Sequence, residues 1–281
     1  MMYDLHRHFW PDALVEALRA RTEPPLLRDG TLVAVDGEYR LDPAAYGLER
    51  CLADLDRDGI DVAVVSCPPT LGIEPFADLL AAYHDGTRDA VAASGDRLLA
   101  FSLARPQEGF VGTTVAAAAL LDLAAIAPVL DELQRDGRLL FVHPGPAYEA
   151  PAGPPWWTAV VDYTAQMQAA YAMWLAEGIE RWPELRVLFA ILAGGAPVQL
   201  ERLRSRGFDV RRALHANTYL DTASYGKRAI ELCLSTYGGD RLVLGTDAPV
   251  IDARETIEAV RSFGQAVTET VCGSNPKGLL E

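Results

Sequence analysis

Two histidines separated by a single residue open this chain, in the segment Met2-Tyr3-Asp4-Leu5-His6-Arg7-His8-Phe9-Trp10. Alternate side chains of a β-strand share a face, so His6 and His8 project together. Neutral imidazole is a favoured ligand for zinc and other transition ions, and a rigid strand holds both rings without the entropy cost of ordering a loop. A third imidazole, His143, ends the apolar run Leu139-Leu140-Phe141-Val142 just before a Pro-Gly loop signal. A carboxylate, Asp247, follows another apolar run in Leu242-Val243-Leu244-Gly245-Thr246-Asp247-Ala248-Pro249. Three histidines and one aspartate form a donor set for one divalent ion, zinc first and manganese second, with room left for water.

Donors so far apart in sequence need a scaffold that brings strand ends together. Eight strand patterns are present, at 2–8, 61–67, 98–105, 109–117, 138–143, 186–192, 217–223 and 241–246. Helical patterns lie between most of them, at 47–58, 75–93, 123–135, 163–180 and 227–237, and 254–262 follows the last strand. Such alternation implies a parallel sheet, and eight strands imply a single (β/α)8 barrel over residues 1–281. In that barrel the active site lies at the C-terminal strand ends, where His8, His143 and Asp247 fall. Arg7 points to the opposite face, toward the outer helices, where it reads as a structural ion-pair partner.

At these residues the chain resembles the amidohydrolase superfamily, and more closely its amidohydrolase-2 branch, which includes aminocarboxymuconate-semialdehyde decarboxylase and related decarboxylases, lactonases and hydratases. The resemblance runs through Asp4-Leu5-His6-Arg7-His8, the segment 52–62, Phe141-Val142-His143-Pro144-Gly145, Gly194-Gly195-Ala196-Pro197, Asn217-Thr218-Tyr219-Leu220-Asp221-Thr222, Leu244-Gly245-Thr246-Asp247-Ala248-Pro249 and the closing segment 274–280. It implies metal ligands on the first, fifth and eighth strands. It also implies a histidine before the Gly-Gly-X-Pro segment, which assists proton transfer or polarises the substrate. The matching position here is Ile191, with Leu192 beside it, and neither side chain carries a proton.

The segment 144–157, after the fifth strand, is rich in proline, glycine and aromatics and reads as a lid over the barrel mouth. Trp156 and Trp157 suit either a pocket for a flat substrate or a subunit interface. Trp10, so near His8, reads as pocket lining, and Asp221 as a polar pocket residue that the resemblance covers. His84, on an outer helix, and His215, before the seventh strand, read as structural. Arg40 and Arg105 lie nearest the places where a substrate carboxylate would be met, although arginine on an acidic protein usually makes solvated ion pairs.

Half of the 281 residues are hydrophobic, enough for a sizeable core, and the formal net charge of −14 disfavours nucleic acid and anionic membrane surfaces. The partners expected are small molecules or a second copy of the chain. The polar N-terminal segment lacks the apolar stretch of a secretory signal, which gives a cytoplasmic expectation. The four cysteines, Cys51, Cys67, Cys233 and Cys272, are far apart and read as reduced thiols.

The functional expectation is a metal-dependent hydrolase of the amidohydrolase-2 type, acting on a small carbonyl or carboxylate compound through metal-activated water. His6, His8, His143 and Asp247 would hold the ion, and Asp247 would also accept the proton. A second enzyme reading is non-oxidative decarboxylation of an aromatic or unsaturated carboxylic acid, weakened by the missing histidine. A third is a barrel that keeps its metal but has lost turnover.

Overall fold

A computed structural model describes residues 1–147 and 154–281. Eight parallel strands, β1 (Tyr3–His8), β5 (Val62–Ser66), β6 (Leu98–Leu103), β7 (Gly112–Ala116), β8 (Leu139–His143), β9 (Val187–Phe189), β10 (Thr218–Asp221) and β11 (Leu242–Val243), pair in chain order. The ring closes where the chain beyond β11 meets β1: Leu5 N–H donates to the Leu244 carbonyl at 2.8 Å, and His8 N–H to that of Ala248 at 2.8 Å. This is the (β/α)8 barrel. Its strands are short and apolar because both faces are covered, the inner by side chains of the other strands and the outer by helices.

The strand patterns lie at the expected places, although the ends differ. Strand β9 stops at Phe189 rather than continuing to Leu192, because residues 191–194 turn into the left-handed region. Strand β7 spans five residues, and a 3-10 turn at Ala117–Leu121 takes up the alanine-rich stretch. Helix α2 (Leu48–Asp58) buries Cys51, Asp54, Leu55 and Asp58 on one face. It ends at Gly59, whose φ of +70° is open to glycine at no steric cost. Helix α4 (Leu123–Arg135) starts at Asp122, whose carboxylate accepts from Ala125 N–H at 3.0 Å.

Arg7 is fully buried on the outer face of β1. Its guanidinium reaches Asp54 of α2 at 3.4 Å and Asp4 at 3.8 Å, so a charge that would be costly alone is neutralised by two carboxylates. The expected ion pair is therefore present, and it ties the first strand to the first outer layer.

A three-stranded antiparallel sheet, β2 (Leu26–Arg28), β3 (Thr31–Ala34) and β4 (Gly37–Arg40), precedes the second barrel strand. Its first hairpin turns at Asp29-Gly30, where φ is +50° and +74°. Asp-Gly in a two-residue loop is a strong hairpin signal, but the strands it joins are too short to register as a pattern. Together with helix α1 (Asp12–Ala20) the sheet covers a second core of Trp10, Leu14, Leu18, Leu27, Leu32 and Leu71. Four residues of the loop expected to close over the barrel, Pro144 to Ala147, are described, as are Pro154 to Trp157; the rest of that lid expectation lies outside the described residues.

Candidate metal centre

The three histidines converge at the C-terminal mouth of the barrel. One ring nitrogen from each of His6, His8 and His143 lies within 4.8 Å of the others, and all three residues are buried. The ring centroids form a triangle with sides of 5.1, 5.1 and 5.2 Å. His6 and His8 come from one strand at a spacing of two, and His143 is the last residue of β8. Asp247 completes the group, with Oδ1 at 2.9 Å from His8 Nε2 and 3.6 Å from His6 Nε2.

The neighbours of these ligands decide which ring nitrogens stay free. His6 Nδ1 donates to Asp221 Oδ2 at 2.8 Å, and His143 Nδ1 donates to the Pro144 carbonyl at 2.9 Å. Nε2 of each ring is thereby left as the available donor atom. His6 Nε2 is buried with no hydrogen-bond partner. A buried polar atom without a partner carries a desolvation cost that a bound ion would recover, and the His3Asp donor set fits a divalent metal with positions to spare. His6, His8, His143 and Asp247 are thus the residues that could hold one.

Three carboxylates divide the work around this centre. Asp247 faces the imidazoles. Asp221, at the end of β10, is fully buried: its Oδ2 holds His6, while its Oδ1 accepts from the N–H groups of Ile191 at 2.9 Å and Ala223 at 3.0 Å. It therefore stands behind the histidine, and the expectation that it lines the substrate pocket is corrected. Asp4 accepts from the Thr246 hydroxyl at 2.6 Å and from Thr246 N–H at 3.0 Å, fixing the turn that presents Asp247. Gly245 makes the convergence sterically possible. A Cβ there would lie 2.7 Å from that of His6 and 2.9 Å from that of Asp221.

The electrostatics follow from burial and these contacts. Burial alone would lower the His6 pKa, but the charges of Asp221 and Asp247 raise it to about 9. His143 has no carboxylate on its ring; burial and the two neighbouring imidazoles push it well below its ordinary value. Asp247 would be raised by burial, yet the hydrogen bond from His8 and the charges of the three histidines hold it well below the usual carboxylate range.

The remaining expected site residues are not all brought together. Trp10 is only 3% exposed, embedded in the second core, with its ring stacked on Tyr46 at 4.4 Å. Burial of this kind corrects its placement as open pocket lining. Tyr46 is half-buried, and burial together with the Asp247 charge pushes its phenol up to about 12; no motif or spacing marks this neighbour of the site in the sequence. Trp157 is half-buried against Trp156, which is 55% exposed. Arg40 and Arg105 are both exposed. His84 accepts from Leu103 N–H at 3.0 Å, and His215 sits before β10, so neither joins the cluster. All four cysteines are buried; burial raises each thiol, which disfavours a thiolate nucleophile.

The chain matches the Amidohydro_2 family, described as amidohydrolase, over residues 3–281. It belongs to the amidohydrolase-2 family. Among curated proteins, it is 21% identical over 285 residues to a 2-amino-3-carboxymuconate-6-semialdehyde decarboxylase of Dictyostelium discoideum, covering 86% of this chain and 79% of that one. The fold is similar to that of the Metarhizium anisopliae IDCase in apo form, with a TM-score of 0.84 and 21% identity over 100% of this chain and 97% of the other. It is also similar to 5-carboxyvanillate decarboxylase of Novosphingobium aromaticivorans complexed with manganese and 4-hydroxy-3-methoxy-5-nitrobenzoic acid. There the TM-score is 0.72 and identity 18%, over 100% of this chain and 96% of the other.

In this amidohydrolase-2 chain, position 191 departs most from the resemblance. Ile191 lies two positions beyond the end of β9, after Ala190, and is 8% exposed. Ile191, Leu192, Ala193 and Gly194 run consecutively through the left-handed region, with φ of +46°, +50°, +49° and +69°. A β-branched side chain there is a steric outlier. The turn is held by Ile191 N–H on Asp221 and by Gln168 Nε2 on the Gly194 carbonyl at 2.7 Å. No helix among the described residues is long and apolar enough to cross a membrane.

Proposed function

We propose that this amidohydrolase-2 chain is a metal-dependent decarboxylase of a small, planar carboxylic acid, with manganese as the first ion to test and zinc the second. The observation that carries the reading is the buried His6–His8–His143 triangle facing Asp247, in a chain whose full-length relatives include decarboxylases. This reverses the order of the two enzyme readings made from sequence. A divalent ion in this site would act as a Lewis acid on the oxygens of the substrate. The residues of the chain do the rest. His6 is held in one tautomer by Asp221 and His143 by the Pro144 carbonyl, and the half-buried phenol of Tyr46 lies within reach of the Asp247 charge.

Decarboxylation consumes one proton for every carbon dioxide released, delivered to the carbon that loses the carboxylate. Asp247 is the acid–base side chain at the site, since Ile191 and Leu192 carry none. One observation favours hydrolysis as a second reading: Asp247 is held strongly ionised, which suits a base that takes a proton from water more than an acid that gives one.

The test is to load the protein with Mn2+ and follow hydroxylated benzoic acids and unsaturated dicarboxylic acids for loss of their ultraviolet band together with carbon dioxide release, beside a panel of lactones and amides. Carbon dioxide release that stops on chelation supports the proposal. Turnover of a lactone or amide with no carbon dioxide from any acid overturns it in favour of hydrolysis.

A further inference from the structure

The two oxygens of Asp247 have different partners. Oδ1 faces His8 Nε2 at 2.9 Å and His6 Nε2 at 3.6 Å, whereas Oδ2 accepts a hydrogen bond from the Ser224 hydroxyl at 2.8 Å. Ser224 comes from the loop after β10, so its contact with Asp247 bridges the ends of the seventh and eighth barrel strands. Both residues lie in the left-handed region, with φ of +62° and +60°. Glycine would adopt that conformation at no steric cost, so the backbone gives no reason for a serine there. The side chain does. Ser224 is exposed and contributes nothing to the core; its one hydrogen bond of note is to Asp247.

The torsion that turns a carboxylate about its Cβ–Cγ bond is broad and roughly two-fold, so an unrestrained aspartate exchanges its oxygens and samples a wide range of orientations. A donor fixed on Oδ2 removes that freedom and leaves Oδ1 turned toward the imidazoles. We propose that Ser224 is a positioning residue for the metal centre: its hydroxyl locks the rotation of Asp247 so that a single oxygen is presented beside His6 and His8. The inference rests on the reading of these residues as a metal site. It also extends to Asp247 the arrangement already seen for His6 and His143, each of which is oriented by a hydrogen bond to its far side.

The test uses the full chain stripped of metal and titrated calorimetrically with Mn2+ and, separately, with Zn2+. The proteins compared are wild type, Ser224→Ala and Ser224→Gly, and thermal unfolding of each metal-free protein is recorded alongside. Both variants are expected to bind the ions about 10- to 100-fold more weakly, the usual effect of losing a partner that orients a ligand. The metal-free Ala variant should melt with wild type, and the Gly variant at or above it, because glycine relieves the left-handed backbone. Wild-type affinity in either variant overturns the positioning role. So does a loss of affinity that merely tracks a large fall in melting temperature. Failure of the wild-type protein to bind either ion overturns the metal-site reading itself, a result distinct from the other two.

Discussion

Strands β8 and β9 are neighbours in the barrel, and they end in opposite ways. The first delivers His143 from a regular strand into the histidine triangle, with Nδ1 tied to the Pro144 carbonyl. The second delivers Ile191, an apolar side chain on a left-handed backbone, where the family resemblance implies an imidazole. A donor set that could hold an ion is assembled, with hydrogen bonds orienting His6, His143 and Asp247, while position 191 beside it carries a hydrocarbon side chain where the resemblance implies a proton carrier.

Breaking the complete half gives the largest effect. His143→Ala removes one of three imidazoles, so the purified protein should lose its metal, with elemental mass spectrometry reading near-zero occupancy and turnover falling to background. Retention of stoichiometric metal would show that His6, His8 and Asp247 suffice. Restoring the other half comes next. Histidine tolerates the left-handed region better than isoleucine, so Ile191→His should fold, and a general acid–base group is worth on the order of 10²–10⁴-fold. Turnover of the Mn2+-loaded variant is expected to rise at least about 10²-fold. An unchanged rate would mean that another group on this chain already moves the proton.

A smaller effect tests the link between the two strand ends. Asp221 binds His6 with one oxygen and the Ile191 amide with the other, so it serves both. Asp221→Asn should weaken metal binding about 10- to 100-fold in a chelator competition, with the His6 tautomer no longer fixed by a charge. Full affinity in that variant would remove Asp221 from the account of the site.

The smallest effect is one of pH on the metal-free protein. His6 is raised from 6.5 to about 9, so its protonated form is favoured by folding; that stabilisation is fully present below pH 6.5 and is lost as the pH climbs through about 9. Chemical denaturation at pH 7 and pH 9.5 should show wild type losing more stability over this interval than Asp221→Asn, which lacks the carboxylate that raises His6. Equal losses in the two proteins would contradict the pairing. Metal binding must displace the same proton, so affinity should strengthen with pH across the same interval.

Much of the fold and part of the site were legible in the residues themselves. Strand periodicity is local, so 2–8 and 138–143 could be read with their histidines in place, and 241–246 with Asp247 directly after it. The small sheet at Leu26–Arg40 escaped because its strands have three or four residues, too few for a pattern, although Asp29-Gly30 marked its turn. Trp10 was misplaced because nearness to His8 in sequence does not reveal that the side chain two positions on packs into a second core. Asp4, Ser224 and Tyr46 have no role legible in the sequence, and Asp221 reads there as a pocket residue rather than as the partner of His6. Asp221 meets His6 across 215 positions and Asp4 meets Thr246 across 242, and no local pattern marks a hydrogen bond of that separation.

What the sequence determined alone is the supply of chemistry: three imidazoles and a carboxylate at the ends of apolar strands, and no proton carrier at position 191. Only the tertiary structure decided how that supply is used. Barrel closure sets Asp221 behind His6 and Ser224 behind Asp247, and so selects which of their atoms remain free, whereas His143 is oriented locally by the carbonyl of the next residue, Pro144. The reason is that a side chain's identity travels with the chain, whereas its tautomer, its charge and the direction of its free lone pair are fixed by whatever the fold places next to it.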